Sequence, residues 1–454
     1  MDSTKQLVAI IGAGPAGLFA ARELAKQGIR VALLNRDIKP GGLAEYGIYP
    51  DKLKIKEGLR NQFRQVLEMP EVDYYGNLKV GRHADLTIED LCGMGFQAVL
   101  VTTGAQGTRW LNIPGEDLKR VYHAKEVVYH YNHLPPYSSM KVEIGRKVAI
   151  IGVGNVMIDL AHYLVSERKV DEVIAIARRG PAEVKFDKKE LELVAANLDI
   201  QDLDEQIDNA AALMRSLGED PEQARAFIHS AVEKAAPTPS RTHFMIHFLL
   251  SPTRILDDGS GAVGGLEVQV NTLVSSGDQI QAVGTGEHQV LDVDTVVFAV
   301  GDQVDDDFGL PTSGNGFCRN ELPRYPIDGL SYEVYDPVND KPLDGIFVAG
   351  WSRKSSTGLV GVARKDGVNG AKAILQHLHG RYLPPDFNLE ELKQRLEKIH
   401  PYVVGKADLK KLEAVEKEEA RARGLAEFKF ATNEEMLAAI GRMERVADTP
   451  GGIA

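Results

Sequence analysis

Cysteine is almost missing from this chain. Cys92 and Cys318 are the only two among 454 residues, and they lie far apart. That excludes a disulfide framework, a cysteine-ligated iron–sulfur cluster and a vicinal redox dithiol. No stretch approaches about eighteen consecutive apolar residues, so no membrane span is expected. The opening MDSTKQLVAI has neither the basic start nor the apolar core of an export signal. Together with the scarcity of cysteine, this points to a cytoplasmic location. Positive charge is in deficit: 53 Lys and Arg against 65 Asp and Glu leave a net charge of −12. Such a balance argues against general nucleic-acid binding. The length exceeds what one hydrophobic core supports, so two or three domains are expected.

What is present begins with a strand, a glycine turn, a helix and a second strand. LVAII (7–11) is a short apolar run, and GAGPAG (12–17) follows as G-x-G-x-x-G. LFAARELAKQG has helical apolar spacing and stops at Gly28; IRVALLN (29–35) is the next strand. In this setting Gly12 makes the tight turn, Gly14 lets the backbone approach a pyrophosphate, and Gly17 lets helix and strand pack closely. The helix N-terminus offers N–H groups and partial positive charge to phosphates. An acidic ribose ligand is expected at the end of the second strand. That position is Asn35, which can accept from a ribose hydroxyl without a charge to strengthen the bond, and Asp37 is a possible substitute.

The unit recurs. RKVAII (146–151) is a strand, GVGNVM (152–157) the turn, IDLAHYLVSER a helix and EVIAIA (172–177) the next strand. Gly152 and Gly154 keep their places; Met157 stands where the third glycine would be. Arg178 and Arg179 close the second strand. An acid there would repel a 2′-phosphate, whereas a guanidinium fork pairs with it, so the doubled arginine favours NADP over NAD. Two such units imply two dinucleotides, FAD and NADP(H). FQAVLVTTGAQ (96–106) and DTVVFAVGDQ (294–303) read as strands running into a glycine, where the chain crosses between domains. The expected fold is therefore α/β, with two Rossmann-like dinucleotide-binding domains. HFMIH puts His243 and His247 on one strand face, but no third ligand accompanies them and no metal is expected. The acidic helical stretch 201–236 carries no legible chemistry.

With these residues in view, the chain resembles the adrenodoxin reductase-like ferredoxin–NADP reductases, FAD enzymes of the glutathione reductase structural type. The segments that carry the resemblance are IIGAGPAGLFAA, PGGLAEYGIYPDKLKIK, GVGNVMIDLA, ARRGPAEVKFDKKELE, GIFVAGWSRKSSTGLVG and the tail KFATNEEML. The resemblance implies FAD or NADP contacts at Gly12, Gly14, Pro15, Ala16, Gly17, Asn35, Gly42, Leu43, Gly104, Gly350, Trp351, Thr357, Gly358 and Leu359. It implies NADP contacts at Gly152, Gly154, Asn155, Val156, Arg178, Arg179 and Glu190. Lys52 stands where the family has a histidine beside the nicotinamide, and Glu190 matches a family glutamate near it; both are expected to tune the reacting groups. Ser356 replaces a family proline. Disulfide reductases of the same fold carry a Cys pair that this chain lacks.

The NADP domain is expected at 113–316, inserted into an FAD domain made of 1–112 and 317–454, the latter with C-terminal helices. The implied activity is exchange of electrons between NADP(H) and a one-electron carrier, a ferredoxin or a flavodoxin. A flavin monooxygenase and a flavin reductase subunit of a larger complex with another acceptor are the alternatives. The carrier is expected to meet a local basic face. Lys52, Lys54 and Lys56 alternate, so an extended segment would put them on one side, followed by Arg60 and Arg64 at helical spacing and joined by Arg353 and Lys354.

Overall fold

The computed structural model describes residues 6–277, 279–355, 358, 360–381 and 388–444. The chain forms two compact units. The first comprises Met1–Thr108, Tyr129–Ser139 and Gly301–Ala454. Its six-stranded sheet runs, in spatial order, Glu333–Asp336, Lys341–Val348, Ala98–Val101, Leu7–Ile11, Arg30–Leu34 and Val72–Tyr75. All neighbours are parallel except the hairpin at one edge. Parallel strands are covered on both faces, so they read as unbroken apolar runs. Alternate residues serve two different cores. Val8, Ile10, Leu33 and Leu100 pack under the helices Pro15–Ala25, Leu53–Leu67 and Val360–Leu378. Leu7, Ala9, Ile11, Val99 and Val101 pack on the other side with Leu91, Leu392 and Leu396. The helices Pro15–Ala25 and Val360–Leu378 meet backbone to backbone: a Cβ on Gly367 would sit 2.1 Å from the Ala16 carbonyl oxygen.

The second unit comprises Arg109–Val128 and Met140–Val300. Its five strands are all parallel, in the order Val121–His123, Thr295–Phe298, Lys147–Ile151, Glu172–Ile176 and His243–His247. A second, antiparallel sheet follows from Leu250–Asp257, Val263–Ser276 and Gln279–Leu291. The acidic stretch forms helices Ile200–Ser216 and Pro221–Val232, which bury Leu203, Ile207, Met214 and Ile228 on one face. This is the expected α/β fold with two dinucleotide-binding domains.

The boundaries differ from a single insertion at 113–316. Residues 301–316 belong with the first unit, where Asp302–Gln303 pairs with Gly107–Thr108. Tyr129–Ser139 returns there as well, because Tyr129 and Leu134 pack with Tyr46 and Lys56 Nζ donates to Asn132 Oδ1 at 3.0 Å. Among the described residues no helix is long and apolar enough to cross a membrane.

Candidate functional site

In the first unit the carboxyl ends of four adjacent strands gather the glycine-bearing loops, which is where ligands sit in open α/β sheets. Gly12 takes φ +103°, and a Cβ there would lie 2.6 Å from the Thr102 carbonyl oxygen. A Cβ on Gly17 would lie 2.0 Å from the Gly12 carbonyl oxygen. Gly14 is different: a Cβ there would meet no described atom within 4 Å. Two glycines are thus demanded by the fold, and the middle one is bare. Gly14 caps helix Pro15–Ala25 without a side-chain hydrogen bond, so the uncapped helix end faces the same opening.

Neighbouring loops converge on this turn. Gly41 N donates to the Ala13 carbonyl at 2.7 Å. Gly42 has φ +51°, and its Cβ position is 3.2 Å from Gly14 Cα; Leu43 then opens a short helix. Gly104 N donates to Ser352 Oγ at 2.9 Å, and Ala349 N donates to the Val101 carbonyl at 3.0 Å. Gly350, at φ +68°, lies against Ala16, and its N–H donates to Asp366 Oδ2 at 2.7 Å. Asp366 also accepts from Tyr332 OH at 3.0 Å and pairs with Arg353 at 2.6 Å. Gly12, Gly14, Pro15, Ala16, Gly17, Gly42, Leu43, Gly104, Gly350 and Trp351 therefore belong to one end of the sheet. Gly358 lies just ahead of helix Val360–Leu378. Thr357 and Leu359 lie outside the described residues.

Asn35 is held differently from the expectation. Its side chain is buried and committed to the protein. Oδ1 accepts from Ala13 N at 2.9 Å, and Nδ2 donates to the carbonyls of Asp37 at 2.8 Å and Lys39 at 3.1 Å. The amide ties the end of the second strand to the glycine turn, a job that needs a donor and an acceptor together and that a carboxylate would not do. Asp37 is paired with Arg36 at 3.0 Å.

The expected basic face is also corrected. The segment after Lys52 is a helix, Leu53–Leu67, so Lys52 and Lys56 share a face by i,i+4 spacing while Lys54 points elsewhere. Lys56 is 1% exposed. Arg60 binds Glu45 through two bonds of 2.7 Å and also bonds Glu427. Arg64 bonds Glu413 at 3.0 Å, and Arg353 is buried on Asp366. Lys54 and Lys354 remain exposed. The partners that turn these cations inward come from distant chain segments, which spacing cannot reveal.

The second unit repeats the first turn's logic. Gly152 has φ +117°, and a Cβ there would lie 2.5 Å from the Ala299 carbonyl oxygen. Gly154 is bare in the same sense as Gly14, and it begins helix Asn155–Tyr163 without a side-chain cap. Met157, in place of the third glycine, is fully buried. Asn155 and Asp187 exchange hydrogen bonds of 2.8 and 2.7 Å, and Lys185 N donates to the Val153 carbonyl at 3.0 Å. The turn is thereby fastened to the stretch after Arg178 and Arg179. Val156 is exposed at the helix start. Glu190 lies on the short helix Lys188–Leu191 of this unit, whereas Lys52 caps Leu53–Leu67 in the first.

Arg178 is exposed and Arg179 half-buried, with Glu183 3.8 Å from Arg179. Partial burial holds the Arg178 guanidinium below its ordinary value, and repulsion from Arg179 and from Arg109 adds to this. Arg109 is a third cation at this place that the sequence reading missed. It follows the strand Gly107–Thr108 with no motif to mark it. His247 Nε2 lies 3.4 Å from Asp202; among the described residues no group of three or more His, Cys, Asp or Glu could hold a metal ion.

Comparison with known proteins agrees with this geometry. Residues 6–209 match the pyridine nucleotide-disulphide oxidoreductase model. The NADPH-ferredoxin reductase FprA of Mycobacterium tuberculosis is 28% identical over 471 residues, covering 95% of this chain and 98% of the relative. The mitochondrial NADPH:adrenodoxin oxidoreductase of Arabidopsis thaliana is 29% identical over 474 residues, covering 95% of each. The solved structure of M. tuberculosis FprA in complex with NADPH superposes with a TM-score of 0.81 at 26% identity, over 96% of this chain and 99% of that one. Along nearly its whole length the chain is similar to the NADPH-ferredoxin and NADPH:adrenodoxin reductases. It does without the cysteine pair of disulfide reductases: Cys92 and Cys318 are both free.

Proposed function

We propose that the first unit holds FAD on the turn Gly12–Gly17, with Gly42, Leu43, Gly104, Gly350, Trp351 and Gly358 around it. The second unit holds NADP(H) on Gly152–Val156 with Arg178 and Arg179. The chain is an FAD-dependent NADPH oxidoreductase that exchanges electrons between NADP(H) and a ferredoxin-type iron–sulfur carrier. The observation that carries the site assignment is the pairing of a closed first glycine with a bare middle glycine in both turns. Among the described residues nothing crowds a Cβ at Gly14 or Gly154, which leaves the backbone of both turns open to an approaching ligand.

Flavin, when bound, accepts the two electrons of a hydride and releases them singly, which is what links a nicotinamide to an iron–sulfur centre. The chain's own residues bind and orient. Backbone at Gly14 and Gly154 admits a pyrophosphate to the helix N-termini, whose partial charge favours it. Asp366 fixes Gly350 and so sets the path of Trp351. Arg178 and Arg179 pair with the 2′-phosphate through charge-assisted bonds. Asp37 is assigned to the FAD ribose, since Asn35 is occupied. Direct hydride transfer needs no obligate acid or base, so Lys52 and Glu190 tune binding and rate rather than carry a proton. The exposed Lys54 and Lys354 are left as the basic elements a carrier could meet in the first unit. A cytoplasmic location is supported by the two free cysteines, although the adrenodoxin oxidoreductases among the relatives are named as mitochondrial.

The test is extraction of the cofactor and steady-state turnover with NADPH and ferricyanide. The expected result is non-covalent FAD and a strong preference for NADPH over NADH. Losing one arginine should weaken NADPH by about ten- to a hundredfold, as a charge-assisted bond of roughly 1.5–3 kcal/mol implies. Recovery of FMN, or no flavin after reconstitution, would overturn the assignment.

A further inference from the structure

A fork made by Arg178 and Arg179 works only if the backbone after strand Glu172–Ile176 holds both side chains toward the ligand. Three successive carbonyls of that stretch are bonded by the antiparallel sheet of the same unit and the loop leading into it. The Ala177 carbonyl accepts from Leu250 N at 3.0 Å, and the Arg179 carbonyl accepts from Leu249 N at 3.1 Å. The Arg178 carbonyl lies between them, and its donor is a side chain: Asn271 Nδ2, at 3.0 Å. The same amide nitrogen donates to Ser251 Oγ at 2.8 Å.

Asn271 is 4% exposed and sits on the long strand Val263–Ser276, at the irregularity where its register against Gln279–Leu291 shifts between Gln269 and Asn271. Its own N–H donates to the Leu249 carbonyl at 2.7 Å, and Leu249 takes φ +57°, a conformation that branched residues rarely adopt. Asn271 thus holds the fork at two places, the Arg178 carbonyl directly and Leu249 through the main chain. Only the first bond depends on the side chain. The position asks for a neutral group of this length with two N–H donors on one atom. A hydroxyl has one donor, an apolar side chain leaves the Arg178 carbonyl unpaired, and a cation would repel the guanidinium groups.

We propose that Asn271 is a positioning residue for NADP selectivity, acting through the Arg178 carbonyl to aim the arginine fork. The proposal rests on the reading of Arg178 and Arg179 as the 2′-phosphate site. It is tested in the flavin-loaded enzyme with ferricyanide as acceptor. Asn271→Leu should raise the KM for NADPH about three- to tenfold, the value of one hydrogen bond, with kcat unchanged and the KM for NADH within about twofold. Inhibition by adenosine 2′,5′-bisphosphate should weaken by the same factor, and inhibition by 5′-ADP should not. An unchanged KM for NADPH, or an equal rise for NADPH and NADH, overturns the proposal; the second outcome would mean a purely structural role. Arg178→Gln separates the two readings. If it leaves NADPH unaffected, the fork itself is misassigned; if it weakens NADPH while Asn271→Leu does not, the fork stands and Asn271 has no part in it. Should Asn271→Leu fail to fold, Asn271→Ala removes the donors without adding bulk or charge. It carries the same expected split between nucleotides and is overturned by the same results.

Discussion

Replacing Glu45 by glutamine would remove the centre of a buried knot of charge beside the first glycine turn. Glu45 is 4% exposed. Its carboxylate meets Lys429 at 3.0 Å, Lys39 at 3.6 Å and Arg60 through two bonds of 2.7 Å. Glu416 bonds Lys39 at 2.6 Å, and Glu427 bonds Arg60 and approaches Lys56 at 3.9 Å. Four cations face three carboxylates, and the variant would leave two. Removing one partner of a buried ion pair costs about 3–5 kcal/mol. Arg60 is partly exposed and can relax toward water, so the lower end, about 3 kcal/mol, is expected. Burial alone would raise the Glu45 carboxyl, but Lys39, Lys429 and Arg60 outweigh it and hold the group well below the usual carboxylate range. A carboxyl depressed on folding contributes stability that is present above its unfolded value and is lost as pH falls through the folded one. The gap between wild type and Glu45→Gln should therefore be full at neutral pH and close only in strong acid. Equilibrium urea unfolding at pH 7, followed by flavin release, reports this unit. With a slope of about 2 kcal/mol/M the midpoint should fall by roughly 1.5 M. A fall of less than about 0.5 M would refute the reasoning, because it would mean that the cations rearrange at little cost.

The two kinds of glycine separate fold from ligand. Gly14→Ala should leave the flavin-free protein within about 1 kcal/mol of wild type yet weaken FAD retention, whereas Gly12→Ala should unfold it, as its φ and the Thr102 carbonyl forbid a side chain; thermal melts of the flavin-free proteins beside FAD titrations check both. Lys56 gives a pH signature. Burial, then Lys429, push its ammonium down to about 8 from an ordinary value of 10.5, so the unfolded chain binds that proton more readily between the two. The cost of folding with it is complete below pH 8 and relieved as pH rises toward 10.5. Lys56→Met should be at least as stable as wild type at pH 7, by up to about 3 kcal/mol, with the difference closing in alkali. Urea midpoints across that range would speak against this if the variant were weaker at pH 7.

Both glycine turns were legible in the sequence because the pattern is local: strand, glycines and helix adjoin, even though the carbonyls that crowd Gly12 and Gly152 belong to Thr102 and Ala299, far along the chain. The arginine pair was legible for the same reason. Met157 broke the fingerprint without breaking the fold, since a helix can turn a long side chain into the core where a glycine would allow closer packing. The misreadings came from side-chain partners that spacing along the chain does not mark. Lys52, Lys54 and Lys56 look like an alternating exposed row, but Lys56 is claimed by Asn132 and the C-terminal Glu427. Arg353 is claimed by Asp366, and Asn35 by its own turn. Arg109 and Asn271 carry no motif; only the folded second unit brings one beside Arg178 in charge and the other to its carbonyl.

The central claim, that this chain passes the electrons of NADPH singly to an iron–sulfur carrier, is tested most directly by an anaerobic mixing experiment. The flavin-loaded enzyme is reduced with NADPH and mixed with oxidised ferredoxins, with flavodoxins and quinones as comparisons. NADPH is expected to bleach the flavin, NADH to do so far less readily, and a ferredoxin then to be reduced with two carriers consumed per NADPH. A flavin that NADPH reduces but that leaves every ferredoxin oxidised while passing its electrons to a quinone or to oxygen would contradict the central claim.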